Sequence, residues 1–119
     1  TSAHYIDAEK KLRLDNIDML FFLESQQQVH LTANTGILET ESQNVSVNGR
    51  VELKSDDAQL KTEELHYQHK NRFIFSELPV TIFGDAFELS ADRMTLDLEK
   101  GRAVLKGNVQ GTFYDDISL

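Results

Sequence analysis

The sequence has no cysteine, no tryptophan and a single proline among its 119 residues. Without cysteine the chain has no disulfide framework, no cysteine-based zinc site and no thiol nucleophile. This absence fits a cytosolic and a bacterial periplasmic protein equally well, so it does not locate the chain. The longest apolar run, Met19 to Leu23, is far shorter than the ~20 residues that a membrane-spanning helix requires.

Basic residues are also scarce, since 12 Lys and Arg stand against 20 Asp and Glu for a formal net charge of -8. This balance argues against binding to a phosphate backbone, which needs a basic stripe. No nucleophile elbow, phosphate loop or dinucleotide fingerprint is present. His66 and His69 are expected to face opposite sides of a strand and turn. We therefore predict no enzyme activity, no metal site and no cofactor.

The composition is that of a soluble globular protein, with 39% hydrophobic and 27% charged residues. The length suits one domain, spanning residues 1–119. Because the chain begins Thr-Ser-Ala and not with methionine, we expect a fragment whose N-terminal signal or anchor has been removed.

A repeat of 29 residues organises the sequence. Four ladders of positions keep this spacing: Leu31, Leu60 and Leu89; Val51, Val80 and Val109; Ala33, Thr62 and Ala91; Leu38, Tyr67 and Leu96. A break recurs within each unit, at "VNGRVEL", "ELPVTIF" and "VLKGNVQGTF". We expect each break to end one strand and begin the next.

Apolar and polar residues alternate in each unit, which is the period of a strand with one buried face. Turn residues separate these stretches at 48–49, 55–57, 69–71, 99–101 and 106–108. The parity of the apolar positions changes after Ala91, which predicts a turn or bulge at Asp92 and Arg93. No stretch keeps the ~3.6-residue period of a helix, and residues 17–23 suit a strand buried on both faces.

These patterns predict an all-β fold in which short antiparallel strands form a roll or a two-sheet jelly roll. Its terminal strands have no partner within the chain, so two open edges are expected. The aromatic residues of the last two units are core residues in a closed roll, but they line an apolar slot in an open one. Each ligand methylene buried in such a slot contributes ~0.8 kcal/mol.

Four stretches carry a family resemblance through their order and spacing: "TEELHY" (62–67), "PVTI" (79–82), "LSADRMTLDL" (89–98) and "LKGNVQGTF" (105–113). From about Ala3 to Tyr114 the chain resembles the periplasmic domain of the LptC-type proteins of bacterial lipopolysaccharide export, within the OstA/LptA-like β-jellyroll group. Members of that family carry one N-terminal membrane helix, which is missing here. An anchored LptC-type protein and a soluble LptA-like bridge protein both remain open.

The resemblance implies an open β-jellyroll, a V-shaped roll of two sheets. It also implies a non-enzymatic carrier for outer-membrane assembly, periplasmic and anchored to the inner membrane through the missing segment. An LptB/F/G-type inner-membrane ABC transporter would contact the N-terminal edge and deliver lipopolysaccharide. An LptA-type bridge protein would receive it at the C-terminal edge. A homodimer through the open edges is a further arrangement, and no nucleic acid partner is expected.

The resemblance and the apolar pattern together give two sets of candidate residues. Those expected to line a lipid-binding groove are Leu60, Leu65, Tyr67, Phe73, Phe75, Val80, Ile82, Leu89, Met94, Leu96, Leu98, Val109 and Phe113. Those expected at partner edges are Tyr5, Leu20, Phe22, Leu105, Gly107, Gly111 and Phe113. Gly111 replaces the side chain found at Leu53 and Ile82, and we expect it to make room for departing lipid or a docking strand.

Two other functions compete with lipid carriage. A structural scaffold would have the same roll with a fully closed core. A sugar-binding or hydrolytic jelly roll would need an exposed aromatic platform, with Tyr67 and Phe73 on an outer face, or a convergent pair of carboxylates.

Overall fold

The computed structural model describes residues 2–6, 10–22 and 26–114, and their regular secondary structure is entirely β-strand. The strands are β1 (Ser2–Ile6), β2 (Lys11–Phe22), β3 (Gln28–Glu39), β4 (Val45–Lys54), β5 (Ala58–Gln68), β6 (Phe73–Ser76), β7 (Val80–Gly84), β8 (Phe87–Ala91), β9 (Arg93–Asp97), β10 (Arg102–Lys106) and β11 (Gln110–Phe113). Within these ranges no helix is long and apolar enough to cross a membrane. The predicted all-β fold is confirmed.

The strands form one open antiparallel sheet that divides at β5. Its main path runs β1-β2-β3-β4-β5-β6-β9-β10, and a branch of β7, β8 and β11 also begins at β5. Residues 58–61 of β5 pair with β7, whereas residues 66–68 pair with β6. We call the layer that contains β6, β9 and β10 the first layer, and the layer that contains β7, β8 and β11 the second layer. One end of each long strand, β2 to β5, belongs to each.

The chain passes between the layers at bends that follow the repeat. The pairing of β3 with β4 shifts between Thr32 and Thr35, and the bends at Gly49 and Gly107 have φ angles of 83° and 82°. Glycine adopts this left-handed conformation without steric cost. The predicted breaks are therefore corners between layers, although the corner at Gly49 lies inside β4 and not between two strands.

A short polar side chain covers the glycine at two of these corners. A Cβ atom on Gly49 would lie 2.7 Å from Asn34 Nδ2, and one on Gly107 would lie 2.7 Å from Asp92 Oδ2. The backbone N–H of Asp92 donates to the carbonyl of Gly107 at 2.8 Å. The predicted break at Asp92, between β8 and β9, is this corner.

The middle corner is held by buried hydroxyl groups instead. Thr62 Oγ1 donates to the Pro79 carbonyl at 3.0 Å and lies 3.2 Å from Ser76 Oγ. Ser76 Oγ in turn donates to the Leu78 carbonyl at 2.9 Å. Ala33 and Ala91 occupy the position of Thr62 in the flanking repeats. This buried network stands where the second branch leaves β5.

One apolar core lies between the layers. Its buried side chains are Ile17, Leu31, Ala33, Val45, Val47, Val51, Leu53, Leu60, Leu65, Ile74, Val80, Ala91 and Met94. The exposure of the ladder positions Val51, Val80 and Val109 is 0%, 1% and 52%. The third ladder position is therefore exposed where its two equivalents are buried.

The apolar run at the end of β2 has one buried face and not two. Ile17 is buried, and Met19 and Phe21 pack against the core. Leu20 and Phe22 point to the outer face and are 54% and 62% exposed. The prediction of burial on both faces was wrong, because among the described strands β3 alone pairs with this part of β2 and nothing covers its outer face.

Candidate functional site

A cleft of about 200 Å³ lies between the two layers. The second layer supplies Leu53, Leu60 and Ile82, and the first layer supplies Met94, Leu96 and Ala103. The remaining lining residues are Gln27, Val29, Ser55, Ala58 and Gln59. The cleft is therefore apolar on both walls, with uncharged polar side chains among its lining.

The neighbouring part of the interior is filled. It retains only about 10 Å³, which is close to the space of one water molecule. Its lining residues are Phe21, Leu31, Val45, Val47, Leu53, Leu65, His66, Tyr67 and Ile74. Leu53 borders both spaces, so the filled interior and the cleft are adjacent.

An aromatic pair joins the two layers at the filled interior. Phe21 of β2 and Tyr67 of β5 have ring centroids 5.8 Å apart at an interplanar angle of 50°. The Tyr67 hydroxyl lies 2.9 Å from His69 Nδ1, and the backbone N–H of His69 donates to Asn44 Oδ1 at 2.9 Å. The Tyr67 ring is therefore held in place from the first layer.

The predicted groove residues separate into groups. Leu60, Ile82, Met94 and Leu96 line the cleft. Leu65 and Tyr67 line the filled interior.

Val80 and Leu98 belong to the packed core or lie against it. Leu89 pairs with Ile82, which places both side chains on the inner face of the second layer.

Phe73 and Phe75 lie on the outer face, so their assignment to the groove was wrong in facing. Ile74 and Ser76, which alternate with them, are buried at 2% exposure each. Ile74 pairs with Tyr67 on the inner side, whereas Phe75 pairs with His66 and stacks on its ring at 5.1 Å. Tyr67 and Phe73 therefore lie on opposite faces and form no common outer platform.

The C-terminal end of the second layer presents a partly exposed aromatic pair. Phe87 and Phe113 have ring centroids 6.3 Å apart, and Phe113 is 62% exposed. A Cβ atom on Gly111 would lie 2.5 Å from Leu89 Cδ2. The room that Gly111 leaves is therefore occupied by Leu89 of the same chain.

The other predicted edge residues differ in position. Tyr5 lies on β1, the first strand of the main path, opposite Leu12. Leu105 lies on β10 opposite Met94 and packs against the core, while Gly107 forms a corner. Leu20 and Phe22 are exposed on the outer face of β2.

Four apolar lining residues of the cleft were missed by the sequence analysis: Val29, Leu53, Ala58 and Ala103. The repeat contains a signal for three of them. Val29 and Ala58 are one repeat apart, and Leu53 is one repeat before Ile82. Extending the ladders by these positions would have identified them.

Two histidines of the outer face are hydrogen-bonded to acidic side chains. His66 Nδ1 lies 2.9 Å from Ser46 Oγ, and His66 Nε2 is hydrogen-bonded to Glu64. His30 is hydrogen-bonded to Asp18 in the same way. The part of the chain that the structure describes contains no cluster of three or more side chains suited to hold a metal ion.

Known proteins match the chain in fold and in family. The crystal structure of LptH, "the LptA homologous periplasmic component of the conserved lipopolysaccharide transport device from Pseudomonas aeruginosa", superposes with a TM-score of 0.74 over 96% of this chain and 91% of that chain. The identity is 11%, so this likeness establishes the β-jellyroll fold.

No curated protein sequence matches the chain. Residues 1–115 match the family described as "Lipopolysaccharide-assembly, LptC-related". With nearly the whole sequence covered, the chain belongs to the LptC-related family of lipopolysaccharide-assembly proteins.

Proposed function

We propose that this protein carries lipopolysaccharide through the periplasm, holding acyl chains in the cleft between its layers without any bond chemistry. The observation that carries the proposal is the apolar cleft itself, with Leu60 and Ile82 on one wall and Met94 and Leu96 on the other. Membership of the LptC-related family and the fold shared with LptH support this assignment.

Apolar burial supplies the affinity in this mechanism. Each methylene that leaves water for the cleft contributes ~0.8 kcal/mol, and apolar walls impose no directional bonds on a chain. A volume of about 200 Å³ accommodates part of an acyl chain and not a whole lipid. The sugars would remain in water, while energy for directed movement would come from ATP hydrolysis by an inner-membrane transporter.

The edges of the sheet supply surfaces for neighbouring proteins in the relay. β1 ends one side of the sheet, and β10 and β11 end the other side in the first and second layers. An unpaired strand edge binds another strand through its free N–H and C=O groups. The transporter would dock on the β1 side and an LptA-type bridge protein on the β10 and β11 side.

Photo-crosslinking at Leu96 and at Phe75 tests the proposal. Both positions are apolar strand residues, but Leu96 lines the cleft and Phe75 lies on the outer face. We expect a photoreactive amino acid at position 96 to label lipopolysaccharide and one at position 75 to give background. Equal labelling at both positions would contradict binding in the cleft, and labelling at the strand edges alone would favour a closed scaffold.

A further inference from the structure

The filled interior and the cleft share a lining residue. Both spaces lie between the same two layers, and Leu53 contributes to the lining of each. The volume of about 10 Å³ and the volume of about 200 Å³ therefore adjoin at this side chain.

From the ring pair that spans this interior, we infer that Phe21 and Tyr67 determine how far an acyl chain can extend into the protein. This inference rests on the proposed function, because it concerns the same apolar ligand. The pair acts as a stop that confines the chain to the cleft and excludes it from the space around Val47 and Leu65.

The first support is steric. A protein interior is packed as densely as an organic crystal, and a void of about 10 Å³ accepts no methylene chain. Val47, Leu65 and Ile74, which line this void, are 2%, 3% and 2% exposed. An acyl chain can therefore reach them only if a side chain of the lining moves away.

The second support is the way in which each ring is held. Tyr67 is fixed through its hydroxyl to His69, which is bonded to Asn44. Phe21 has no polar atom and lies on the part of β2 that pairs only with β3 among the described strands. Phe21 is the less constrained member, so its substitution is the direct way to remove the stop.

The experiment uses lipid A whose acyl chains end in a diazirine, followed by mass spectrometry to map the labelled residues. In the unmodified chain we expect labelling at Leu60 and Leu96 and background at Val47 and Leu65. In Phe21→Ala, labelling at Val47 and Leu65 should rise from background to the level found at Leu96. Phe21→Leu, which keeps an apolar side chain at the site, should give an intermediate yield and guards against misfolding of the alanine variant.

Phe22→Ala is the matched control, because Phe22 is the adjacent residue of the same type on the outer face. It should leave the labelling map unchanged. Labelling of Leu65 already in the unmodified chain, or an unchanged map in both folded Phe21 variants, would overturn the inference while leaving cleft binding intact. Absence of labelling at Leu60 and Leu96 in the unmodified chain would overturn the proposed function and this inference together.

Discussion

The region between Phe21 and Tyr67 and the region between Leu60 and Leu96 belong to one interior, yet the first retains about 10 Å³ and the second about 200 Å³. Both regions are built from equivalent positions of one repeat, since Tyr67 and Leu96 are 29 residues apart. The filled region contains an aromatic bridge between layers, whereas aliphatic residues line the apolar walls of the cleft. The position of a residue in the repeat therefore determines whether it lies on the inner or the outer face. The side chain that it faces across the two layers determines whether the space between them is filled.

Leucine truncation gives the largest expected contrast between the two regions. Leu65→Ala should lower the free energy of unfolding by about 3–4 kcal/mol, because the deletion leaves a cavity in a packed interior. Leu96→Ala should cost about 1–2 kcal/mol, since Leu96 already borders open space. Urea denaturation measures both values, and equal costs would show that the two regions are packed alike.

Substitution of Thr62 tests how far its buried hydrogen bonds stabilise the corner at which the layers divide. Thr62→Val should cost about 1–3 kcal/mol, because the Pro79 carbonyl loses its hydroxyl donor in a buried site. Thr32→Val, on a half-buried strand position, should remain within about 0.5 kcal/mol of the unmodified chain. Equal unfolding midpoints for the two variants would contradict a stabilising role of the buried network.

Substitution of Gly101 and of Gly107 distinguishes the cost of backbone strain from the cost of a side-chain contact. Gly101 has a φ angle of 62°, and a Cβ atom added there would meet no described residue within 4 Å apart from its chain neighbours, whereas Asp92 lies against Gly107. Gly101→Ala should cost about 1 kcal/mol through its left-handed backbone, and Gly107→Ala about 2 kcal/mol because Asp92 must also move. Thermal denaturation compares them, and a smaller loss in the Gly107 variant would contradict the assigned role of this corner.

The smallest expected effect is a change in the pKa of Tyr114, which follows Phe113 of the partly exposed aromatic pair. The hydrogen bond from its hydroxyl to Glu88, with smaller contributions from burial and from the Glu88 charge, raises the pKa of Tyr114. Because the neutral phenol is favoured in the folded state, this contact is present below the unfolded pKa of ~10 and is lost as the pH rises through the folded pKa.

Glu88→Ala removes both the hydrogen-bond acceptor and the charge, so the pKa of Tyr114 should be lower than in the unmodified chain. Ultraviolet titration measures the shift, with Tyr114→Phe identifying the signal among the 3 tyrosines of the sequence. An unchanged titration in Glu88→Ala would contradict the contact between β8 and the residue that follows β11.

The sequence was sufficient for the fold because the repeat and the alternation are local properties. Ala91 and Met94 differ in parity, and this difference located the corner at Asp92. Alternation alone did not give the facing of β6, since Phe73, Ile74 and Phe75 are apolar on both parities. The 29-residue spacing does carry the signal, because Ile74 and Ser76 lie one repeat after Val45 and Val47, and all four are buried.

The division into a filled region and a cleft was beyond the sequence for a related reason. It depends on which strands of the two layers oppose each other. Phe21 contacts Tyr67 across the layers, whereas Leu60 borders the cleft. The repeat specifies positions along the roll but not the offset between its layers. Leu65 and Leu96 therefore received the same prediction and have different surroundings.

Lipopolysaccharide affinity in Ala103→Phe beside Val104→Phe tests the central claim most directly. Ala103 pairs with Leu96 and lines the cleft, whereas its neighbour Val104 pairs with Thr95 and faces outward. Filling the cleft at position 103 should weaken binding at least tenfold, which is ~1.4 kcal/mol, and the same ring at position 104 should change it by less than about twofold. Unchanged affinity in Ala103→Phe, or an equal loss in both variants, would contradict the location of the acyl chains in the cleft.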